Sequence, residues 1–270
     1  MLDVKQATKV FSAGTASEHH ALNGLDLHLD DGEFVTIIGS NGAGKSTLFN
    51  AICGNYWLDQ GQILLDGQDI TFLSEHRRAR QIGRVFQDPM KGTAPHLTIE
   101  ENLALAYTRK DRKPFRSAVR KQEKDLFRTE LEKYHMDLEN RMKTKVGLLS
   151  GGQRQVVTLL MCTLVMPKLL LLDEHTAALD PATAEKVLHL TRQIVAERQI
   201  TCLMVTHNMH QALTLGNRTL MMNAGNIVLD VAGEERAAMS VDDLLEQFAL
   251  RAGKALDNDR ILFSKVETQE

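Results

Sequence analysis

Gly39-Ser40-Asn41-Gly42-Ala43-Gly44-Lys45-Ser46-Thr47 follows the apolar run Phe34 to Ile38 and opens the helix-favouring stretch Lys45 to Cys53. A buried strand, a glycine-rich turn and a helix start, in that order, satisfy the pattern G-x-x-x-x-G-K-[ST] together with the context it requires. The glycines let backbone N–H groups turn inward on an anion, and the helix adds the positive end of its dipole. Lys45 is placed to reach the β- and γ-phosphates of a nucleotide, and Ser46 to offer a hydroxyl to Mg²⁺. Ser40, Asn41, Gly42, Ala43, Gly44 and Thr47 complete the cradle. A mere tight connection would leave the strand and helix on either side unexplained.

Outward from this loop, further short aliphatic runs bounded by turn residues predict strands over Gln62 to Leu65, Ile82 to Phe86, Leu169 to Leu172 and Thr201 to Thr206. Helices are predicted over Gln153 to Val165, after Ser150-Gly151-Gly152, and over Pro181 to Glu197, which opens on a proline suited to a first helical turn. Strands alternating with helices imply an α/β fold with a largely parallel sheet covered on both faces. The run Leu169-Leu170-Leu171-Leu172 ends in Asp173-Glu174. Ligands of open α/β sheets bind at the carboxyl edge of the strands. Asp173 therefore suits Mg²⁺, and Glu174 suits polarisation of an attacking water. A solvated strand end is the bland reading of that pair alone; with the phosphate loop it points to a nucleoside triphosphatase. Thr98 to Lys145 is charged and helix-favouring without a buried strand, as expected of an inserted helical lobe. After Asp230 the chain turns helical again over Glu234 to Arg251 and closes on an acidic end.

Composition narrows the partners. A formal net charge of -3 and 43% hydrophobic residues describe an ordinary globular protein with no basic field to hold a polyanion, so no nucleic-acid partner is expected. The basic cluster from Arg109 to Arg120, with Lys110, Arg112, Lys113 and Arg116, reads as a solvated helix or loop surface. Cys53, Cys162 and Cys202 are far apart in apolar contexts and read as small buried hydrophobes of a reducing compartment. No stretch approaches the roughly 20 apolar residues of a membrane span, and the N-terminus lacks the apolar core of a signal peptide.

Leu149-Ser150-Gly151-Gly152-Gln153-Arg154-Gln155 stands one helix before Asp173-Glu174. With it, the region Leu2 to Asp230 resembles the ABC (ATP-binding cassette) ATPase family, whose signature motif this heptapeptide matches without departure. The resemblance implies that Ser150 and Gly152 contact the γ-phosphate of ATP held by a second subunit in a head-to-tail dimer. Gln87 is similar to the family's glutamine that contacts Mg²⁺ and water, and Ala178-Leu179-Asp180 to the loop that crosses the dimer interface. His207 is similar to the switch histidine on the γ-phosphate. Phe11 sits where the family places an aromatic that stacks on adenine, and equally suits a core position of the first strand. His175 departs from the family's usual proline; it keeps a backbone donor and, as an ordinary histidine, is expected to titrate near neutral pH. It reads as a mark of a subfamily rather than a second base. Asp173-Glu174-His175-Thr176-Ala177-Ala178-Leu179-Asp180 with Gly92-Thr93-Ala94-Pro95 resembles ATPase subunits of bacterial uptake systems.

The resemblance implies a P-loop NTPase (RecA-like) core over 1–87 and 146–235, with an inserted α-helical subdomain over about 88–145. It also implies an antiparallel β subdomain near the N-terminus and a C-terminal helical extension over 236–270. It implies ATP and Mg²⁺ as cofactors, with Lys45, Gln87, Glu174 and His207 as the hydrolytic group and Ser46, Gln87 and Asp173 around the metal. The expected partners are a second ATPase subunit, transmembrane permease subunits and an extracytoplasmic substrate-binding protein, with the chain on the cytoplasmic face of the membrane. An exporter subunit and a soluble ABC-type ATPase uncoupled from transport are the alternatives.

Overall fold

The computed structural model describes residues 1–109 and 120–252; Lys110, Arg112, Lys113 and Arg116 of the basic cluster and the acidic end lie outside the described residues, while Arg109 donates to the carbonyls of Met161 and Cys162. Two compact units emerge, Met1–Ala79 with the chain from Gln199 onward, and Arg80–Arg198.

The first part of the chain forms β1 (Leu2–Phe11), β2 (His19–Leu29), β3 (Phe34–Gly39), α1 (Lys45–Cys53), β4 (Gln60–Leu65), β5 (Gln68–Asp69) and the single turn α2 (Glu75–Arg78). β1 pairs antiparallel with β2 and with β4, giving a four-stranded sheet in the order β2-β1-β4-β5, the antiparallel subdomain expected. Leu2 and Val4 point inward by alternation. The period then slips at Gln6, whose φ is 49°, and Ala7 takes the next buried place. A bulge of this kind re-aims every side chain after it. All six residues of β3 are buried. The buried guanidinium of Arg78 donates to the carbonyls of Ala51 and Ile52 at 2.6 and 2.9 Å, adding side-chain donors at the end of α1.

The second unit contains β6 (Ile82–Val85), α3 (Ile99–Tyr107), α4 (Lys121–Glu132), α5 (Gly151–Thr163), β7 (Leu169–Asp173) and α6 (Pro181–Arg198). β6 and β7 run parallel, with Ile82 opposite Leu169 and Val85 opposite Leu172. α5 starts two residues before the predicted Gln153. Ser150 is the N-cap, and its hydroxyl and the Gln153 side chain form a reciprocal capping box, so both glycines are helical.

From Gln199 the chain returns to the first unit as β8 (Cys202–Val205), α7 (Met209–Thr214), β9 (Arg218–Asn223), β10 (Asn226–Ala232), α8 (Gly233–Ala238) and α9 (Val241–Ala252). β3 lies between β8 and β9, parallel to both, and β10 returns antiparallel on β9. These strands are parallel as predicted except for β10, because the turn at Ala224-Gly225 makes a hairpin instead of a crossover. The single helix predicted over Glu234 to Arg251 is two: Ser240 caps the second through Asp243, and Leu244 and Phe248 then pack on Ile38, Met221 and Leu229. Cys53, Cys162 and Cys202 are buried and not disulfide-bonded. No helix among the described residues is long and apolar enough to cross a membrane.

Candidate functional site

In the first unit, the loop from Gly39 to Gly44 hangs between β3 and α1. Gly44 is the N-cap of α1 with φ 101°, and a Cβ there would overlap the carbonyl oxygen of Ala21, so backbone conformation and space both require glycine. α1 has no side-chain cap and no acid in its first turn, whereas Thr98, Ser150 and Asn208 cap α3, α5 and α7. Its first amides and dipole are thus offered to an anion from outside the fold. Lys45 is only 6% exposed. Its Nζ donates to the carbonyls of Gly39 and Ser40 at 2.7 and 2.9 Å, which holds the charge over the loop. Asn41, Gly42 and Ser46 are exposed, Ser40 and Thr47 half-buried, and Ala43 buried.

The loop has a backbone support with no side-chain signal in the sequence. Gly225 N donates to Ala43 O at 3.0 Å, and Asn23 N donates to Gly225 O at 3.1 Å, so β2 and the β9–β10 turn fix the cradle. Phe11, at the end of β1, is half-buried and meets Tyr56 edge to face, with ring centroids 5.3 Å apart. Lys9 Nζ lies 5.6 Å from its centroid. Phe11 is thus a partly exposed aromatic rather than a closed core residue, and Tyr56 is a neighbour that sequence alone did not supply. His207 is exposed after β8. Its turn is pinned on both sides: Thr206 N donates to Ile37 O at 3.1 Å, and Asn208 Oδ1 accepts from Gln211 N at 2.9 Å.

The second unit carries Gln87, Ser150, Gly152, Asp173 and Glu174. Asp173, at the end of β7, accepts from Arg84 Nη2 at 2.8 Å. Glu174 follows with φ 46°, a left-handed backbone uncommon for a residue with a Cβ, and Ala177 N closes the turn on Glu174 O at 2.9 Å. Strain of this kind clusters at functional sites. Gln87 is exposed just beyond β6. Ser150 is exposed at the start of α5, where its Oγ accepts from Gln153 N at 3.3 Å; the hydroxyl hydrogen plays no part in that cap. A Cβ at Gly151 would lie 3.0 Å from Leu179, and one at Gly152 would overlap Thr183 Cγ2. Asp180 Oδ1 accepts from Thr183 N at 3.0 Å, and these bonds from Thr183 hold its carboxyl below the usual range. The signature glycines are therefore also close-packing positions against the loop and helix that follow β7.

His175 corrects an expectation. It is 1% exposed, and burial pushes its pKa down to about 4, so it stays neutral at ordinary pH. Thr191 Oγ1 spends its one hydrogen on Val187 O at 2.8 Å, so His175 Nε2, 3.1 Å away, is the donor to Thr191. Its Nδ1 is buried without a partner. The ring anchors the strand end to α6.

Among the described residues no group of three or more His, Cys, Asp or Glu side chains could hold a metal. Mg²⁺ does not need one: it is commonly held by one or two carboxylates with waters and substrate phosphates. In the first unit Ser46 offers an oxygen of the kind that hard cation takes, and in the second so do Gln87 and Asp173.

The ABC transporter family model matches residues 22–177. A tyrosine transport ATP-binding protein of Clostridioides difficile is 45% identical over 92% of this chain and 98% of its own length. The thiamine import ATP-binding protein ThiQ of Photorhabdus laumondii is 36% identical over 78% of this chain and 85% of its own. Among solved structures, a dimeric ATP-binding cassette in a post-hydrolysis state bound to ADP and Pi superposes with a TM-score of 0.74 at 29% identity. That match covers 86% of this chain and 98% of the other. A phosphate cradle at an uncapped helix start, a strained Glu174 beyond β7 and these likenesses together establish that the chain belongs to the ABC transporter family, as an ATP-binding cassette that hydrolyses ATP.

Proposed function

We propose that the chain powers a bacterial importer of a small amino acid-like solute, from the cytoplasmic face of the membrane, as a pair of identical cassettes under permease subunits. The observation that carries nucleotide use is the start of α1, where glycine geometry, an absent cap and Lys45 leave a preformed anion site. The cargo is supported by the 45% identical tyrosine transport relative, whose whole length this chain nearly spans, and import by the thiamine import relative. A substrate-binding protein outside the membrane completes the system. The cassette extends over 1–235, with its helical subdomain at about 88–145 and an extension from 236.

The amides from Ser40 to Thr47 with Lys45 bind and orient the triphosphate, while Phe11 stacks on the base. Glu174 accepts the proton of the attacking water, and His207 with Lys45 stabilises charge on the γ-phosphate. Mg²⁺, held through Ser46, Gln87 and Asp173, would neutralise charge between the β- and γ-phosphates. Ser150 and Gly152 of a second copy close the site, and loss of the γ-phosphate releases them, which is the step that drives a permease.

The test has two arms. Glu174→Gln should bind ATP, lose turnover and dimerise in ATP; full turnover by this variant would remove Glu174 from the chemistry. Reconstituted with its permease subunits and substrate-binding protein, the cassette should show turnover stimulated by tyrosine; stimulation by thiamine and not by tyrosine would reassign the cargo.

A further inference from the structure

The signature helix has a second task within its own unit, visible along the face of α5 turned to β6. Gln155 is fully buried, and its Nε2 donates to the carbonyl of Phe86 at 3.2 Å. Two turns on, Cys162 Sγ lies 3.2 Å from the carbonyl of Arg84, as its donor. Residues seven apart on a helix share a face, and Arg84 and Phe86 are alternate positions whose carbonyls point the same way. With β7 hydrogen-bonded to the other side of β6, side chains of α5 thus meet the carbonyl of Arg84 within the strand and that of Phe86 just beyond it. Gly83 permits the approach: a Cβ there would lie 3.2 Å from Cys162.

The bond from Gln155 falls on the last residue before Gln87. Phe86 is held from other directions as well. The Arg84 guanidinium lies 4.7 Å from its ring centroid, and a Cβ on Gly92, five residues beyond Gln87, would touch the ring at 3.3 Å. The other end of the Gln155 amide, Oε1, is buried with no hydrogen-bond partner. A buried acceptor without a donor is unfavourable. An apolar residue of the same size would avoid that cost. What the glutamine supplies and an apolar residue cannot is the grip on Phe86.

The geometry points to Gln155 as a positioning residue for hydrolysis: it fixes the backbone from which Gln87 reaches the nucleotide, and so makes the signature helix and the Gln87 loop move as one piece. This rests on the role proposed above for Gln87.

Gln155→Met keeps the volume and removes the donor. In the full-length chain, its kcat should fall about tenfold with KM for ATP within about twofold, and the half-saturating Mg²⁺ concentration should rise severalfold, since a displaced side chain costs turnover more than binding. Hydrogen exchange should quicken over residues 86–92 and stay unchanged over 156–163. Gln87→Ala is the control. A changed Mg²⁺ profile in Gln87→Ala with none in Gln155→Met overturns the positioning role and leaves Gln87 in place; no change in either overturns both. Equal loosening of the two exchange segments would reduce Gln155 to a packing residue. Should Gln155→Met not fold, Gln155→Asn, which keeps an amide one methylene too short, is read by the same measurements and the same outcomes.

Discussion

Arg84 and Asp173 form a salt bridge of 2.8 Å between β6 and the end of β7, with both side chains less than one-sixth exposed. The carboxylate proposed for the metal therefore has a protein cation already on one oxygen. Removing that cation as Arg84→Met leaves a mostly buried carboxylate short of a partner, at a cost of about 2 kcal/mol. We expect a lower urea midpoint for Arg84→Met without nucleotide and a lower half-saturating Mg²⁺ concentration for its ATPase activity. Unchanged values for both would show that the pair neither supports the fold nor competes with the cation.

Gly152 sits where any Cβ would overlap Thr183 Cγ2. Gly152→Ala should destabilise the fold by roughly 1–3 kcal/mol, as overpacking does. Thr183→Ser deletes the offending methyl and keeps the backbone N–H bonded to Asp180. The double variant should regain most of the loss, and a double-mutant cycle in urea gives the coupling. Strict additivity would place the requirement for glycine elsewhere, at the partner's nucleotide.

Glu174 holds a left-handed backbone. Asparagine tolerates this region better than glutamate. Glu174→Asn should raise stability by about 0.5–1 kcal/mol while ATP turnover falls at least about a hundredfold, the trade expected where strain serves chemistry. Calorimetry beside a phosphate-release assay checks both; a variant that is less stable and inactive would deny the strain.

His175 makes stability depend on pH in a defined window. Its pKa is about 4 in the fold and near 6.5 when exposed, so between those values the unfolded chain binds a proton that the native chain refuses. Stability contributed by the neutral ring is present above about pH 6.5 and is lost as pH falls toward 4, by up to on the order of 3 kcal/mol. Subtracting the stability curve of His175→Gln from that of the wild type should isolate this slope. Parallel curves across the window would mean that the ring is not buried as described.

The sequence by itself determined the phosphate loop, α1, the apolar cores of β3, β6, β7 and β8, and the carboxylates at the end of β7. These features are contiguous, and each is decided by local rules: glycine at a turn, a lysine at a helix start, an aliphatic run too short for a helix. It left β1, β2, β9 and β10 unmarked as individual strands. β1 and β2 alternate buried and exposed residues with a slipped period at Gln6, so neither presents a continuous apolar run, and the apolar runs of β9 and β10, Leu220 to Met222 and Ile227 to Leu229, are only three residues long. Tertiary structure alone decided the backbone support of the cradle by Asn23 and Gly225, the pairing of Arg84 with Asp173, the fit of Thr183 against Gly152 and the burial of His175. Each of these joins residues far apart in the chain or depends on how deeply a side chain is enclosed. Neither distance in space nor loss of solvent is written in residue type, so the chemistry was legible in order along the chain and its supports only in the fold.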